Sequence, residues 1–421
     1  MRKSTTIFFL TLLLTLYSGK DTHCSKNRPT KVKIKRYRKG FRLLVNRKPF
    51  IIRGVCYNPV PIGKGPTYNF FNSESEPWKV DAPLMKEMGI NTIRIYNIPL
   101  ESLESAKKVI RFFYEKYRIY TIVGDWLGFW NYPAPFYGDK EFRKKVKEKV
   151  LKVVKELKDE KGILCWILGN ENNYSFDGRV QNWTTQEIEK ISDPIEKRKK
   201  KAEIYYSLVE EIAKEIKKID KYHPVGLGNG ELTGLEIASK ICRHIDFLAL
   251  VVYRGKTFGN IYKSVKFTFN KPILFSEMGA DSYNAYLKKE DQEMQAFFLK
   301  SQWIEIYKNI YPRGEGNVLG GVIFEWIDEW WKHNPENVYD WKVHNTEAGW
   351  SNPSYYFDIK TDKNLNMNEE WFGIVKQLEV LENGVHKREP RKAFYVLKAF
   401  WKDPEKFLQK ASKRKKSLNV K

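Results

Sequence analysis

Eight apolar, β-branched runs recur along the chain: IIRGV (51–55), NTIRIY (91–96), IYTIVG (119–124), ILCWILG (163–169), PVGLG (224–228), IDFLALVVY (245–253), PILFSE (272–277) and GGVIFEW (320–326). Between most of them lie amphipathic stretches of helical period, such as ESLESAKKVIRFFYEKY, EFRKKVKEKVLKVVKELKDE, PIEKRKKKAEIYYSLVEEIAKEIKKID and DQEMQAFFLKSQWIEIYKNIY. Near-continuous apolar strands that alternate with helices build a parallel sheet covered on its outer face. Eight such units over roughly 280 residues match the usual size of a (β/α)8 barrel, about 250 residues. The predicted fold is therefore α/β, a single (β/α)8 TIM barrel. A doubly wound sheet is the rival, and it carries a Gly-rich phosphate turn after its first strand. Here RGVCYNPVPIGKGP follows instead, and Gly63-Lys64-Gly65 lacks the trailing glycine and the immediate helix of such a turn.

Ahead of the first run, KVKIKRYRKGFRLLVNRKPFIIRGVCYN alternates apolar and polar residues on either side of Asn46-Arg47-Lys48. That is the pattern of a short N-terminal β-hairpin leading into a buried strand. Farther upstream, Arg2 and Lys3 precede an apolar run from Ile7 to Tyr17, followed by Ser18 and Gly19. This reads as a secretory signal over residues 1–20, hence a secreted, periplasmic or cell-surface protein. The run falls short of the roughly 20 residues of a membrane span, and an uncleaved anchor is the alternative. The expected organisation is a signal at 1–20, the barrel domain over 31–405 and a basic tail over 406–421.

The net charge is +24, from 75 Lys and Arg against 51 Asp and Glu. Nucleic acid is one partner class that such a charge suggests. Lys and Glu alternate along helical faces such as DKEFRKKVKEKVLKVVKELKDEKG, however, so most of the charge is solvated helix surface. Export also argues against a nucleic-acid partner, whereas an anionic cell surface stays compatible with the charge. Cys24, Cys56, Cys165 and Cys242 form no CxxC pair and the six His are scattered, so no zinc spacing is present. Two of the cysteines sit in apolar strand-like runs, and the set reads as mostly free and buried, with a disulfide as the alternative. Thirteen Trp, 24 Tyr and 25 Phe leave aromatics for a binding surface after the core is filled.

In a (β/α)8 barrel the chemistry sits at the C-terminal ends of the strands. The stretch GILCWILGNENNYS ends the fourth strand on Gly169, Asn170, Glu171, Asn172 and Asn173, with Glu171 expected to face the centre. PILFSEMGAD ends the seventh on Glu277, 106 residues farther along (277 − 171), which three βα units account for. Two glutamates converging on one mouth can hold a glycosidic bond between them, one as acid/base and one as nucleophile. The bland reading of each is a surface carboxylate at a loop start.

GNEN and FSEMGAD resemble the acid/base and nucleophile segments of the clan A retaining glycoside hydrolases. IIRGVCYNP, DAPLMKEMGINTIRIYN, VVYRGKTFG and GGVIFEWIDEWWK are most similar to the family 2 catalytic-barrel type, and Ile51 to Tyr96 is similar also to the fungal cell-wall β-1,3-glucanosyltransferases. The resemblance spans about residues 40 to 400. It implies a retaining β-glycosidase or transglycosidase acting on a β-linked polysaccharide or oligosaccharide, β-glucan favoured, with no metal and no organic cofactor. It makes Glu171 the acid/base and Glu277 the nucleophile. Arg94, at the end of the second strand, is then the charge partner of Glu277 through a forked hydrogen bond. Tyr253 resembles the family tyrosine that hydrogen-bonds the nucleophile, and Asn170 the asparagine that binds the hydroxyl next to the reacting carbon. Trp326 fits the aromatic floor under the sugar. Trp126 and Trp130, with Asp125, Trp330 and Trp331, are candidates for further sugar subsites, because aromatic rings stack on the apolar faces of β-linked pyranoses. Two departures stand out: Val251 occupies a position where family members often carry Asn, and the N-terminal sugar-binding and sandwich domains of whole family 2 enzymes do not precede the barrel. A non-catalytic carbohydrate-binding barrel at the cell surface is the alternative function. The pairing of Glu171 with Glu277 argues against it.

Overall fold

The computed structural model describes residues 29–130, 135–178, 180–285, 287–347 and 368–409. The expected signal at 1–20, Cys24 and residues 410–421 of the basic tail lie outside the described residues.

The chain opens with β1 (Val32–Tyr37), β2 (Gly40–Val45) and the two-residue β3 (Lys48–Pro49), paired antiparallel in that order. The expected turn lies at Asn46–Arg47, where both residues have positive φ, 47° and 70°. Two such residues in succession form the mirror-image turn whose twist matches that of the flanking strands. The other turn, at Arg38–Lys39, is announced by no residue type, since neither is a turn former.

Eight parallel strands then close a barrel in chain order: β4 (Ile52–Cys56), β5 (Thr92–Ile95), β6 (Tyr120–Asp125), β7 (Ile163–Leu168), β8 (Val225–Gly230), β9 (Phe247–Val251), β10 (Ile273–Met278) and, after the small β11 (Tyr283–Asn284) and β12 (Lys289–Glu290), β13 (Val318–Ile323). The ring shuts where β13 pairs with β4, Ile323 opposite Val55. Each of the eight overlaps one of the apolar runs. Every residue of β7, β8, β9, β10 and β13 is buried, the condition that erases polar alternation from a sequence.

Among the covering helices are α1 (Trp78–Met88), α2 (Leu103–Tyr117), α3 (Lys140–Leu157), the short α4 (Gln186–Glu189), α5 (Pro194–Ile219), α6 (Leu235–Ile241), α7 (Ile261–Thr268) and α8 (Gln292–Asn309). Local signals start them. Asp139, Asp193 and Asp291 accept hydrogen bonds from Phe142, Ile195 and Met294 backbone N–H groups at 2.7, 2.9 and 3.0 Å, and Pro194 fills the first turn of α5. Beyond the barrel, β14 (Val375–Glu382) and β15 (Val385–Pro390) form a hairpin about Asn383–Gly384, and α9 (Lys392–Lys402) packs against α8. Apolar side chains fill two layers. Ile52, Ile122, Ile167, Leu274 and Val322 belong to a cluster that Val32, Leu43 and Val45 of the hairpin join. A second, larger cluster lies between strands and helices.

Candidate active site

The loop after β7 answers why a buried strand stops on four amide and carboxylate side chains. Asn172 and Asn173 are both fully buried. Asn172 Nδ2 donates to the Trp126 carbonyl (2.9 Å) and the Tyr137 hydroxyl (2.7 Å), while Asn172 Oδ1 accepts from Asn170 N–H (2.6 Å). Asn173 exchanges two 2.8 Å bonds with Gly230, at the end of β8. These two amides therefore tie the end of the fourth strand to its neighbours on either side. Glycine at 228 lets β8 approach, since a Cβ there would lie 2.0 Å from the Gly169 carbonyl oxygen. Between the anchored residues, Glu171 takes the left-handed conformation (φ 60°) and caps a single 3-10 turn.

Glu277, near the end of β10, is 5% exposed and receives three donors. Arg94 Nη1 and the Tyr96 hydroxyl each donate to Oε1 at 2.8 Å, and the Tyr253 hydroxyl donates to Oε2 at 2.9 Å. Arg94, 1% exposed, also donates from Nη1 to the Ser276 carbonyl (2.8 Å) and from Nη2 to Asn170 Oδ1 (2.6 Å), so it meets Glu277 through one nitrogen and not through the expected fork. Its guanidinium lies over the Tyr96 ring, 4.3 Å from the centroid. Burial opposes the Arg94 charge, but Tyr96 and Glu277 outweigh it and the pKa is raised. Burial, then Glu277, Tyr96, Cys56 and Glu171, holds the Tyr253 hydroxyl well above an ordinary phenol. Both glutamates thus act on one tyrosine, and the mouth brings together Arg94, Asn170, Glu171, Tyr253 and Glu277.

Tyr96 is the residue of this constellation that the sequence reading missed. It lies two positions after Arg94, and strand periodicity puts residues i and i+2 on one face. That spacing was the available signal.

The aromatic candidates divide. Trp130 is 55% exposed and lines a cavity of about 310 Å³ with Phe129, Glu171, Tyr174 and Lys332. Trp126 is half-buried, its ring 6.2 Å from that of Tyr96. Trp326 is 1% exposed and packs in the larger apolar cluster. A strand-end aromatic run does not say which ring turns inward. Trp330 is 9% exposed and stacks on His344, whose other neighbour is Trp371 at 3.6 Å. Asp125 bonds Leu127 N–H and pairs with Lys149, both within 2.9 Å, so it shapes its own turn. Asp328 is clamped in a two-pronged pair with buried Arg391, 2.7 Å on each prong, fastening β13 to the base of α9.

A second set of carboxylates follows β13. Glu325 and Glu329 are 2% and 5% exposed, and Oε1 of Glu325 has no hydrogen-bond partner among the described residues. Burial, then Glu329, raises the Glu325 pKa well above the carboxylate range, and burial raises that of Glu329. Lys332 contacts Glu329 at 3.4 Å and Glu369 at 2.7 Å. Burial works against its charge; Glu329, Glu325 and Glu277 outweigh burial and raise its pKa. Cys56, Cys165 and Cys242 are free and buried, and burial pushes the Cys56 thiol, beneath the Ser276 carbonyl, up to about 12. Among the described residues no group of three His, Cys, Asp or Glu is arranged to hold a metal, and no helix is long and apolar enough to cross a membrane.

Residues 22–330 match the sequence model of the glucanosyltransferase family, glycoside hydrolase family 72. The chain belongs to that family. The likeness read from Ile51 to Tyr96 therefore extends over most of the barrel. No curated protein matches the chain. Solved structures that match include the Eisenbergiella tayi GH2 β-galacturonidase bound to galacturonate, at 16% identity and TM-score 0.52, covering 88% of this chain and 54% of that one. A Bacteroides uniformis β-glucuronidase matches at 16% and 0.57, covering 88% and 37%. Saccharomyces cerevisiae Gas2p, in complex with laminaritetraose and laminaripentaose, matches at 14% and 0.49, covering 90% and 68%. At these identities the likeness to the two bacterial enzymes is one of fold alone. The chain spans about half, or less, of the length of those two enzymes.

Proposed function

We propose that this family member is a retaining transglycosidase that cuts a β-linked glucan, β-1,3-glucan favoured, and passes the freed chain to a second sugar. The observation that carries this reading is the Glu277 carboxylate at a barrel strand end, met by Arg94, Tyr96 and Tyr253 together. Three donors on one carboxylate suit a group that must act as an anion. Family membership supports the glucan and the transfer.

In the first step a Glu277 oxygen bonds to the anomeric carbon while Glu171 gives its proton to the departing glycosidic oxygen. A covalent glycosyl-enzyme forms and the reducing-end fragment leaves. In the second step Glu171, now a carboxylate, takes the proton of an incoming sugar hydroxyl, whose oxygen displaces Glu277. The new glycosidic bond keeps the original stereochemistry, and water in place of the sugar gives hydrolysis. Asn170, fixed by Arg94, is the partner for the hydroxyl beside the reacting carbon. Trp130 and Trp126 are stacking positions on the Glu171 side. Residues 31–405 are the catalytic domain, 406–421 a basic tail, and the segment at 1–20 directs the chain out of the cell.

The test is mass spectrometry of the products from a β-1,3-gluco-oligosaccharide of one defined length. Products both longer and shorter than the input support transfer, whereas an unchanged input removes this substrate. In the same assay Glu171→Gln is expected to retain the first step on substrates with good leaving groups and to lose it on natural ones. Equal loss on both would count against the acid role.

A further inference from the structure

The N-terminal hairpin carries a charge that, among the described residues, no acidic side chain answers. Residues 31 to 49 hold nine Lys and Arg and no Asp or Glu. The side-chain partners described for these cations are neutral: Arg36 bonds the Asn270 amide, Lys35 lies over Tyr37, and Arg42 lies over Tyr37 and Tyr311. Lys35 stands directly opposite Arg42 in the β1–β2 pairing, an arrangement that costs stability. Lys33 and Lys35 share one face of β1, about 7 Å apart by strand geometry, and both are exposed, as are Arg38 and Lys39 in the turn.

The hairpin sits at the end of the barrel away from the mouth. Val32 N–H donates to the Tyr222 carbonyl and Phe41 N–H to the Gly316 carbonyl, in the segments that enter β8 and β13. We propose that this ribbon is a docking surface for an acidic polysaccharide, holding the enzyme on an anionic polymer while the opposite face works on its glucan.

Three observations select that partner. No large apolar side chain of residues 31–49 is exposed, so the ribbon has nothing to insert among lipid headgroups. Tyr37 and Tyr311 stack on each other at 4.7 Å with Arg42 against them, leaving no open ring pair for nucleic-acid bases. One fully presented ring stands nearby: Phe267, 94% exposed, three residues before the Asn270 that Arg36 holds. A row of cations beside a single ring suits a chain of charged pyranoses, with the ring taking a sugar face.

The experiment measures binding of the full chain to polygalacturonate, to phosphatidylserine-containing vesicles and to duplex DNA, at low and at physiological salt. The wild type is expected to bind polygalacturonate in preference to the other two, and less tightly as salt screens the contact. K33Q/K35Q/R38Q/K39Q is expected to bind it at least about tenfold more weakly, with transfer on short β-1,3-gluco-oligosaccharides unchanged. Should that variant fail to fold, K35Q alone decides. It relieves the Lys35–Arg42 opposition, so it melts no lower than the wild type and is expected to bind about two- to threefold more weakly. Unaltered polygalacturonate binding in either folded variant overturns the proposal, as does tighter binding to vesicles or to DNA.

Discussion

Two strand ends of one barrel mouth carry buried glutamates, and they are treated in opposite ways. At the end of β10, Glu277 has three donors within 2.9 Å. Beyond β13, Glu325 has an oxygen that no described donor reaches, Glu329 has a long contact to Lys332, and the pKa of each is raised. Burial is alike at the two places, 5% against 2% and 5% exposed. What differs is the supply of donors. Desolvation alone drives a carboxyl toward its neutral form, and only hydrogen bonds or a cation can offset it. Position at a barrel mouth therefore does not set the electrostatic surroundings of a glutamate; its partners do.

The comparison breaks most directly at Glu277. Glu277→Gln keeps the size and two of the three polar geometries yet removes the oxygen that the proposed mechanism uses for attack, and turnover of every substrate is expected to fall by about 10⁴-fold or more. Single-turnover assays check this. Activity within tenfold of the wild type would move the nucleophile elsewhere in the mouth.

The two tyrosines sharpen it. Tyr253 is the described donor to Oε2, whereas Tyr96 shares Oε1 with Arg94. A hydrogen bond to a charged group contributes about 1.5–3 kcal/mol, or roughly 10- to 100-fold. Tyr253→Phe is therefore expected to cost about 100-fold in kcat and Tyr96→Phe about 10-fold. A double-mutant cycle with Arg94→Lys should show Tyr96, not Tyr253, coupled to the arginine. The reverse order would mean that the oxygens are not served as described.

How much of this arrangement the sequence disclosed follows from the same physics. The eight barrel strands were legible because both faces are buried and the runs are nearly unbroken. Glu171 and Glu277 stood out as carboxylates ending such runs, but Glu325 ends one too, so the run alone could not tell which glutamate has three donors. Tyr96 was hidden by its kind, since a tyrosine in a strand reads as core. Asn172 and Asn173 were hidden by their company: four polar residues in a row look like one functional loop, although two of them lock the loop in place. Residue type also did not reveal how deeply each ring of FEWIDEWW is buried, Trp326 being 1% exposed and Trp330 9%. The β14–β15 hairpin carried its own marker, Asn383-Gly384, the strongest short-range hairpin signal, in a region without a barrel period to frame it.

At the β13 end the expected effects are smaller and of another kind. Glu325→Gln replaces a carboxyl that burial already disfavours as an anion with a neutral group of the same shape. The comparison with Glu277 then predicts kcat within about threefold of the wild type, because no reacting atom is lost. It also predicts a higher melting temperature than the wild type at pH 8, with the difference vanishing only below the ordinary carboxyl value of 4.5, where Glu325 is neutral in the folded and the unfolded chain alike. A large loss of kcat with unchanged melting would assign Glu325 to the chemistry and erase the contrast.

The smallest effect, and the most exact test of the burial argument, concerns Glu370. Its side chain is 1% exposed and accepts from His333 N–H at 3.1 Å and Asn345 N–H at 2.5 Å, joining two parts of the segment after β13. Burial pushes its pKa up to about 8, against the pull of those two N–H groups. A carboxyl raised from its ordinary 4.5 to about 8 binds an extra proton in the folded state between those values. Its contribution to stability is thus fully present below the lower value and is lost as pH rises through the upper one. Glu370→Gln cannot titrate, and with one acceptor oxygen for two N–H groups it gives up about 1 kcal/mol at pH 4, below the ordinary carboxyl value. The variant should therefore melt below the wild type at pH 4, with the difference shrinking and then reversing toward pH 8.5. His344, stacked between Trp330 and Trp371, has its pKa lowered by burial and pulls the opposite way at low pH, but it is present in both proteins and largely cancels in the difference. A difference that widens with rising pH would mean that the two N–H groups, and not desolvation, govern this carboxyl, and Glu370 would then belong with Glu277 rather than with Glu325.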